Sequence, residues 1–291
     1  MLVLAFPDYH SQSQRLAGKL GAEFDLVEQH RFPDGESLIR LPPVLPGHVI
    51  LCRSLNQPND KLVELLLFAR TARELGAKRI TLVAPYLCYM RQDVANRAGE
   101  AISQRIVGRL LAELFDDVIT VDPHLHRISH LQQAIPLANA LSLSAGHVIG
   151  EFLRKQLDQA ILLGPDSESA QWVEGIASTI GFDYAVADKV RRGDREIEIT
   201  LPKFDFFKKT VVIIDDMAST GRTMARTIGL LKEAGVGDVY AVVTHPLFCG
   251  DAEELIRYAG VKEIWSTDSI EHATSCIRLD SMLSSAVKAI L

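Results

Sequence analysis

The segment Asp215-Asp216-Met217-Ala218-Ser219-Thr220-Gly221-Arg222-Thr223 places two carboxylates and then a Ser/Thr/Gly loop between an apolar run at residues 211–214 and a helical pattern starting near Thr223. A helix start leaves its first N–H groups unpaired and carries partial positive charge, so it suits a phosphate. Ser219, Thr220 and Thr223 add hydroxyl donors, and Gly221 lets the backbone come close to an anion. Arg222 can add a cationic contact or crowd the loop. Asp215 and Asp216 would repel a phosphate beside them and suit sugar hydroxyls or the positioning of a metal. The bland alternative is an acidic strand end followed by an N-capped helix.

Other apolar runs also break off into reactive residues. Residues 80–84 lead to Pro85, Tyr86 and then Arg91-Gln92-Asp93; residues 118–121 lead to Asp122-Pro123-His124. Residues 161–163 lead to Gly164-Pro165-Asp166-Ser167. In open α/β sheets, ligands bind beyond the carboxyl ends of the strands, so these endings share one explanation. Lys189 and Arg191 stand two apart on an extended segment between candidate strands at 184–187 and 196–201. At that spacing both would face the same way, although a solvated charged turn is the usual reading of such a stretch. Phe32-Pro33-Asp34-Gly35-Glu36 reads by itself as a turn, and Arg91-Gln92-Asp93 as a solvated loop. His124, His126 and His130 raise the possibility of zinc, but they lack acids or thiols at suitable spacing.

These residues need elements to hold them. Apolar runs at 2–6, 49–52, 80–84, 118–121, 161–163, 211–214 and 240–243 suit strands buried on both faces, as in a parallel sheet. Amphipathic patterns at 61–75, 101–115 and 223–234 lie between them, and 281–291 reads as a last helix. The expectation is an α/β chain in sequential halves, 1–141 and 142–291, built on one βα plan, with the last helix packing back on the first half. The net charge of −6 and the absence of a basic block argue against nucleic acid as a partner. The four cysteines are scattered and lack metal-ligand spacing. No basic-then-apolar leader opens the sequence and no run approaches a membrane span, so a cytoplasmic protein with no membrane partner is expected.

Six segments, in order and covering nearly the whole chain, resemble the ribose-phosphate diphosphokinases, also called phosphoribosyl pyrophosphate synthases, in particular the shorter, archaeal-like type. The resemblance implies two similar phosphoribosyltransferase-like domains, each a mainly parallel sheet flanked by helices, with ATP on the 1–141 side and ribose 5-phosphate on the 142–291 side. Phe32, Asp34 and Glu36 look like the adenine-contacting loop, and Arg91, Gln92 and Asp93 like the nucleotide-binding segment. His124 and Asp166 resemble the magnesium-associated positions, and Lys189 and Arg191 the start of the mobile catalytic flag. Asp215, Asp216, Ser219, Thr220, Gly221, Arg222 and Thr223 match the ribose 5-phosphate loop. The implied reaction passes the diphosphate of ATP to O1 of ribose 5-phosphate, with Mg2+ as cofactor. The Phe32 loop of the family reaches into a neighbouring subunit, which implies a homodimer or larger homo-oligomer. Two positions depart from the pattern: Arg222 stands where a small residue is usual, and Glu168-Ser169 where Ala and Gly are common. A non-catalytic regulatory homologue and a phosphoribosyltransferase are the alternative readings.

Overall fold

A computed structural model describes the backbone of residues 1–192 and 196–291, and the side chains of all of these except 189–192 and 196–198. The chain divides into Met1–Leu143 with Leu279–Leu291, here unit 1, and Ser144–Arg278, unit 2.

Unit 1 begins with β1 (Leu2–Ala5), α1 (His10–Leu20), β2 (Glu23–Leu26) and a hairpin of β3 (Glu28–Arg31) and β4 (Ser37–Arg40). It continues through β5 (His48–Cys52), α2 (Pro58–Glu74), β6 (Arg79–Val83), α3 (Ser103–Leu114), β7 (Asp117–Val121) and β8 (Asn139–Leu143). A six-stranded sheet runs β2-β1-β5-β6-β7-β8, parallel at every pairing. The middle strands are buried along almost their whole length, which is why they read as largely apolar runs, with buried Thr81 in β6 and buried Asp117 and Thr120 in β7 as polar interruptions. Helix α1 ends at Gly21, whose φ of +64° permits the left-handed turn into β2.

Unit 2 comprises α4 (Gly146–Gln156), β9 (Ile161–Gly164), α5 (Ala170–Ile180), β10 (Asp183–Val186) and a hairpin of β11 (Asp188–Arg192) and β12 (Glu196–Thr200). Then come β13 (Val211–Met217), α6 (Arg222–Glu233), β14 (Val239–His245), α7 (Ala252–Tyr258), β15 (Glu263–Thr267) and β16 (Ser275–Ile277). Its sheet runs β10-β9-β13-β14-β15-β16, again all parallel. Strand for strand, this is the order of unit 1, with a two-stranded hairpin inserted after the second strand in each.

The helix that follows each sheet belongs to the other unit. After β8, α4 packs on α5 in unit 2; after β16, the last helix α8 (Asp280–Ala289) packs on α1 in unit 1. Leu283 and Val287 of α8 are buried. Lys288 Nζ donates to Lys19 O at 2.9 Å, and Arg79 Nη2 to Ile290 O at 2.8 Å. Among the described residues, no helix is long and apolar enough to cross a membrane.

Candidate active site

In unit 2 the acid pair lies within β13 rather than beyond it: the strand continues past Ile214 to Met217, with Asp215 opposite Val243 and Met217 opposite His245. Asp216 is buried and Asp215 half-buried. The chain then turns through half-buried Ser219 and exposed Thr220 to Gly221, and α6 starts at Arg222, one residue earlier than its pattern suggests. Gly221 has φ +68°, and a Cβ there would lie 2.7 Å from Ala252 O. Both the backbone conformation and the space therefore require glycine. Among the described residues no side chain caps α6, so the first amides of this helix are available to an anion. Arg222 is exposed and Thr223 half-buried.

A second segment braces this loop from behind. Phe248 N donates to Ala218 O and Cys249 N to Ser219 O, each at 2.8 Å, and Ser219 Oγ lies 3.7 Å from Cys249 Sγ. After β9, Asp166 opens a short helical turn and its Oδ1 accepts from Glu168 N at 3.1 Å and Ser169 N at 3.4 Å. Glu168 is exposed on that turn. Gly164 leaves room for the turn, since a Cβ there would lie 2.4 Å from Ser169 Oγ. Lys189 and Arg191 fall on β11, opposite Ile199 and Ile197; their side chains lie outside the described residues.

In unit 1, Phe32-Pro33-Asp34-Gly35-Glu36 is the turn of the β3–β4 hairpin. Phe32 N donates to Glu36 O at 2.8 Å, Gly35 N to Phe32 O at 2.9 Å, and Glu36 N to Asp34 Oδ1 at 3.2 Å. The Phe32 ring stays exposed, with the edge of His30 against it at 4.8 Å. Arg91 is exposed, Gln92 Oε1 accepts from Ser103 Oγ, and Asp93 pairs with Arg127. The second carboxylate oxygen of Asp93 is buried without a hydrogen-bond partner among the described residues. His124 follows β7 and meets His126 edge to face, centroids 4.1 Å apart.

Residues 1–114 match the N-terminal domain of ribose phosphate pyrophosphokinase, and residues 135–275 match the phosphoribosyl transferase domain. The ribose-phosphate pyrophosphokinase of Methanopyrus kandleri is 34% identical over 99% of this chain and 99% of its own length. That of Thermococcus kodakarensis is 32% identical, covering 89% of this chain and 91% of its own. The chain belongs to the ribose-phosphate pyrophosphokinase family. The crystal structure of phosphoribosylpyrophosphate synthetase from Mycobacterium smegmatis shares the fold, with a TM-score of 0.84 at 24% identity over 99% of this chain and 98% of that one.

One feature of this family member escapes a reading of the sequence by motifs: a charge cluster buried in unit 1. Arg53, directly after β5, is 2% exposed, and its Nη1 meets Glu64 Oε2 at 2.7 Å, while Glu64 is itself 2% exposed. Arg53 Nε also bonds Asp8 at 3.1 Å, and its guanidinium lies 3.7 Å from the centre of the Phe6 ring. Lys61 Nζ pairs with Asp8 at 2.7 Å and donates to Ser54 O and Asn56 Oδ1. Burial lowers the Lys61 pKa, with Asp8 opposing that shift. The one signal for this cluster in the sequence is the position of Glu64, an acid one helical turn before Phe68 on the face of α2 that meets the core.

Proposed function

We propose that this chain is a ribose-phosphate diphosphokinase. The observation that carries the reading is the uncapped start of α6 behind Gly221, directly after the acid pair of β13, in a chain of this family. The 5-phosphate of ribose 5-phosphate sits on the amides and hydroxyls of Ser219, Thr220, Gly221 and Thr223, with Arg222 adding charge. Asp215 and Asp216 accept hydrogen bonds from the ribose 2- and 3-hydroxyls. In unit 1, Phe32, Asp34, Glu36, Arg91, Gln92 and Asp93 hold ATP.

The O1 hydroxyl attacks the β-phosphorus; the O1–P bond forms, the bond from that phosphorus to the α-phosphate oxygen breaks, and AMP leaves. The hydroxyl proton passes to solvent. Such transfer depends mainly on placing the groups and on stabilising charge. Lys189 and Arg191 supply cations to the transferring group. His124 and, in unit 2, Asp166 are assigned to magnesium. One oxygen of Asp166 is committed to the amides of its own turn, and an imidazole is a poor direct ligand for this ion. Both residues therefore fit contact with the waters that magnesium keeps. Magnesium held there would supply positive charge that offsets the negative charge of the phosphates. The exposed Phe32 turn supports a homo-oligomer in which it completes a neighbour's nucleotide site, and the family chemistry fits a cytoplasmic enzyme.

Glu168, exposed beside Asp166, favours the second reading, a nucleotide-binding regulator without activity, because it adds negative charge where a diphosphate would lie. A coupled assay for AMP separates the two. Release from ATP that requires ribose 5-phosphate supports the diphosphokinase; ATP binding without any release supports the regulator. Release of diphosphate from phosphoribosyl diphosphate and a base would instead favour a phosphoribosyltransferase.

A further inference from the structure

We infer that Glu64 is a positioning residue for nucleotide binding: it fixes the β3–β4 hairpin, and with it the Phe32-Pro33-Asp34-Gly35-Glu36 turn, to the core of unit 1. The inference rests on reading that turn as an ATP contact.

A two-stranded hairpin in water is marginal by itself, and every residue of β3 is exposed. Its register shows what holds it. Gln29 stands opposite Ile39 and Arg31 opposite Ser37, so these four share one face. Ile39 packs on the apolar core of the unit. Gln29 Nε2 and Ser37 Oγ both donate to Glu64 Oε1, the latter at 2.8 Å, while Arg31 Nη1 meets Asp60 Oδ2 at 2.9 Å. Asp60 and Glu64 are one helical turn apart on α2, so a single helix face grips the hairpin. The opposite face is left to solvent, with Leu38 43% and Phe32 39% exposed.

Glu64 differs from an ordinary surface acceptor. A carboxylate this deeply buried needs a counter-charge, and Arg53 supplies it. Arg53 is in turn held by Asp8 and by the Phe6 ring, so neither charge can swing away to solvent. The remaining oxygen of Glu64 is therefore a fixed, charged acceptor, and hydrogen bonds to a charged acceptor are stronger than neutral ones. A need for stability alone would be met as well or better by apolar residues of similar volume. It would also not bring two donors from the hairpin onto one oxygen.

Variants on the hairpin side test this without disturbing the buried ion pair. Gln29→Leu combined with Ser37→Ala should raise KM for ATP about tenfold while KM for ribose 5-phosphate stays within about twofold. Amide exchange across residues 28–40 should accelerate by a similar factor, with the melting temperature within a few degrees of the parent. Ser37→Thr, which keeps the hydroxyl, should retain the parental KM for ATP. Unchanged exchange in the double variant would overturn the anchoring. Faster exchange with an unchanged KM for ATP would overturn its role in nucleotide binding. If the parent released no AMP, the diphosphokinase reading would fail; exchange rates and a calorimetric ATP titration would still decide the anchoring by the same criteria.

Discussion

Gly221→Ala offers the sharpest test of the phosphate loop. At φ +68° an alanine carries a left-handed penalty of about 1–2 kcal/mol. Its Cβ would also lie 2.7 Å from Ala252 O, a backbone atom, and 3.1 Å from Ile256 Cδ1. The isoleucine methyl can turn aside, but the carbonyl moves only with the start of α7, which opens at Ala252. Relief of the clash therefore shifts the loop that presents the first amides of α6. Allowing about 1 kcal/mol for that shift gives roughly 2–3 kcal/mol in all, or about 30- to 150-fold in affinity if the loop is well formed only in the bound state. KM for ribose 5-phosphate should rise by that order in the AMP-release assay, and KM for ATP should stay within about twofold. Gly229→Ala is the control: it sits inside α6, and an added Cβ would meet nothing within 4 Å, so it should stabilise the chain by about 0.5–1 kcal/mol. A Gly221→Ala chain whose KM for ribose 5-phosphate stays within about threefold of the parent would refute the assignment of this loop.

Arg222→Ser should raise KM for ribose 5-phosphate by about tenfold at low salt and less at high salt, without lowering the melting temperature, because a cation in the first turn opposes the helix dipole; a lower melting temperature with unchanged KM would mean that Arg222 is structural. Burial pushes the Cys88 thiol up to about 12, so at about pH 8 iodoacetamide should modify exposed Cys249 and leave Cys88 untouched. Ribose 5-phosphate should slow modification of Cys249, whose Sγ is 3.7 Å from Ser219 Oγ; equal rates at both cysteines in the folded chain would contradict this. Asp117 is desolvated, which raises its pKa, but hydrogen bonds from Arg79, Asn139 and Thr81 outweigh this and leave it lowered from 3.8. A lowered folded-state pKa means stability that is present above about pH 4 and lost as pH falls through the folded value. Asp117→Asn should therefore cost about 2–3 kcal/mol at pH 7, and the gap to the parent should narrow below about pH 4 in thermal melts; a gap independent of pH would count against the charge.

The parts legible from sequence are those whose burial does not depend on a partner's side chains. Strands such as β5 and β13 are covered on both faces and consist of unbroken apolar residues over most of their length. Strand β15 is equally interior, yet Ser266 and Thr267 make it look like a loop. Their hydroxyls are buried because Ser266 shares a hydrogen bond with the Thr274 hydroxyl and Thr267 donates to Thr244 O, the latter 23 residues away. The edge strand β2 alternates exposed and half-buried residues over only four positions, too few to establish a period. The Ser-Thr-Gly loop was legible because its chemistry is local: a strand end, a glycine and a helix start within nine residues. The grip of Glu64 on Gln29 and Ser37 was not, since those contacts span 35 and 27 residues.

The repeated topology shows why the loop proposed to hold a phosphate has no like counterpart in unit 1. Leu2 pairs with Val49 as Ile161 pairs with Val211, so Arg53 in unit 1 occupies the place of Asp215 in unit 2. The helix that follows differs in kind as well. Neither helix has a side-chain cap among the described residues, but α6 starts at Arg222 with no acid in its first turn, whereas α2 starts at Pro58, which has no N–H, and carries Asp60 in its first turn. A phosphate at α2 would find fewer donors and an opposing charge. The buried arginine, meanwhile, turns the strand end inward, toward Glu64 and Asp8. One copy of the plan keeps an open helix start for an anion. In the other, Arg53 at the strand end is paired inward, and the acid it meets, Glu64, also holds the hairpin carrying Phe32.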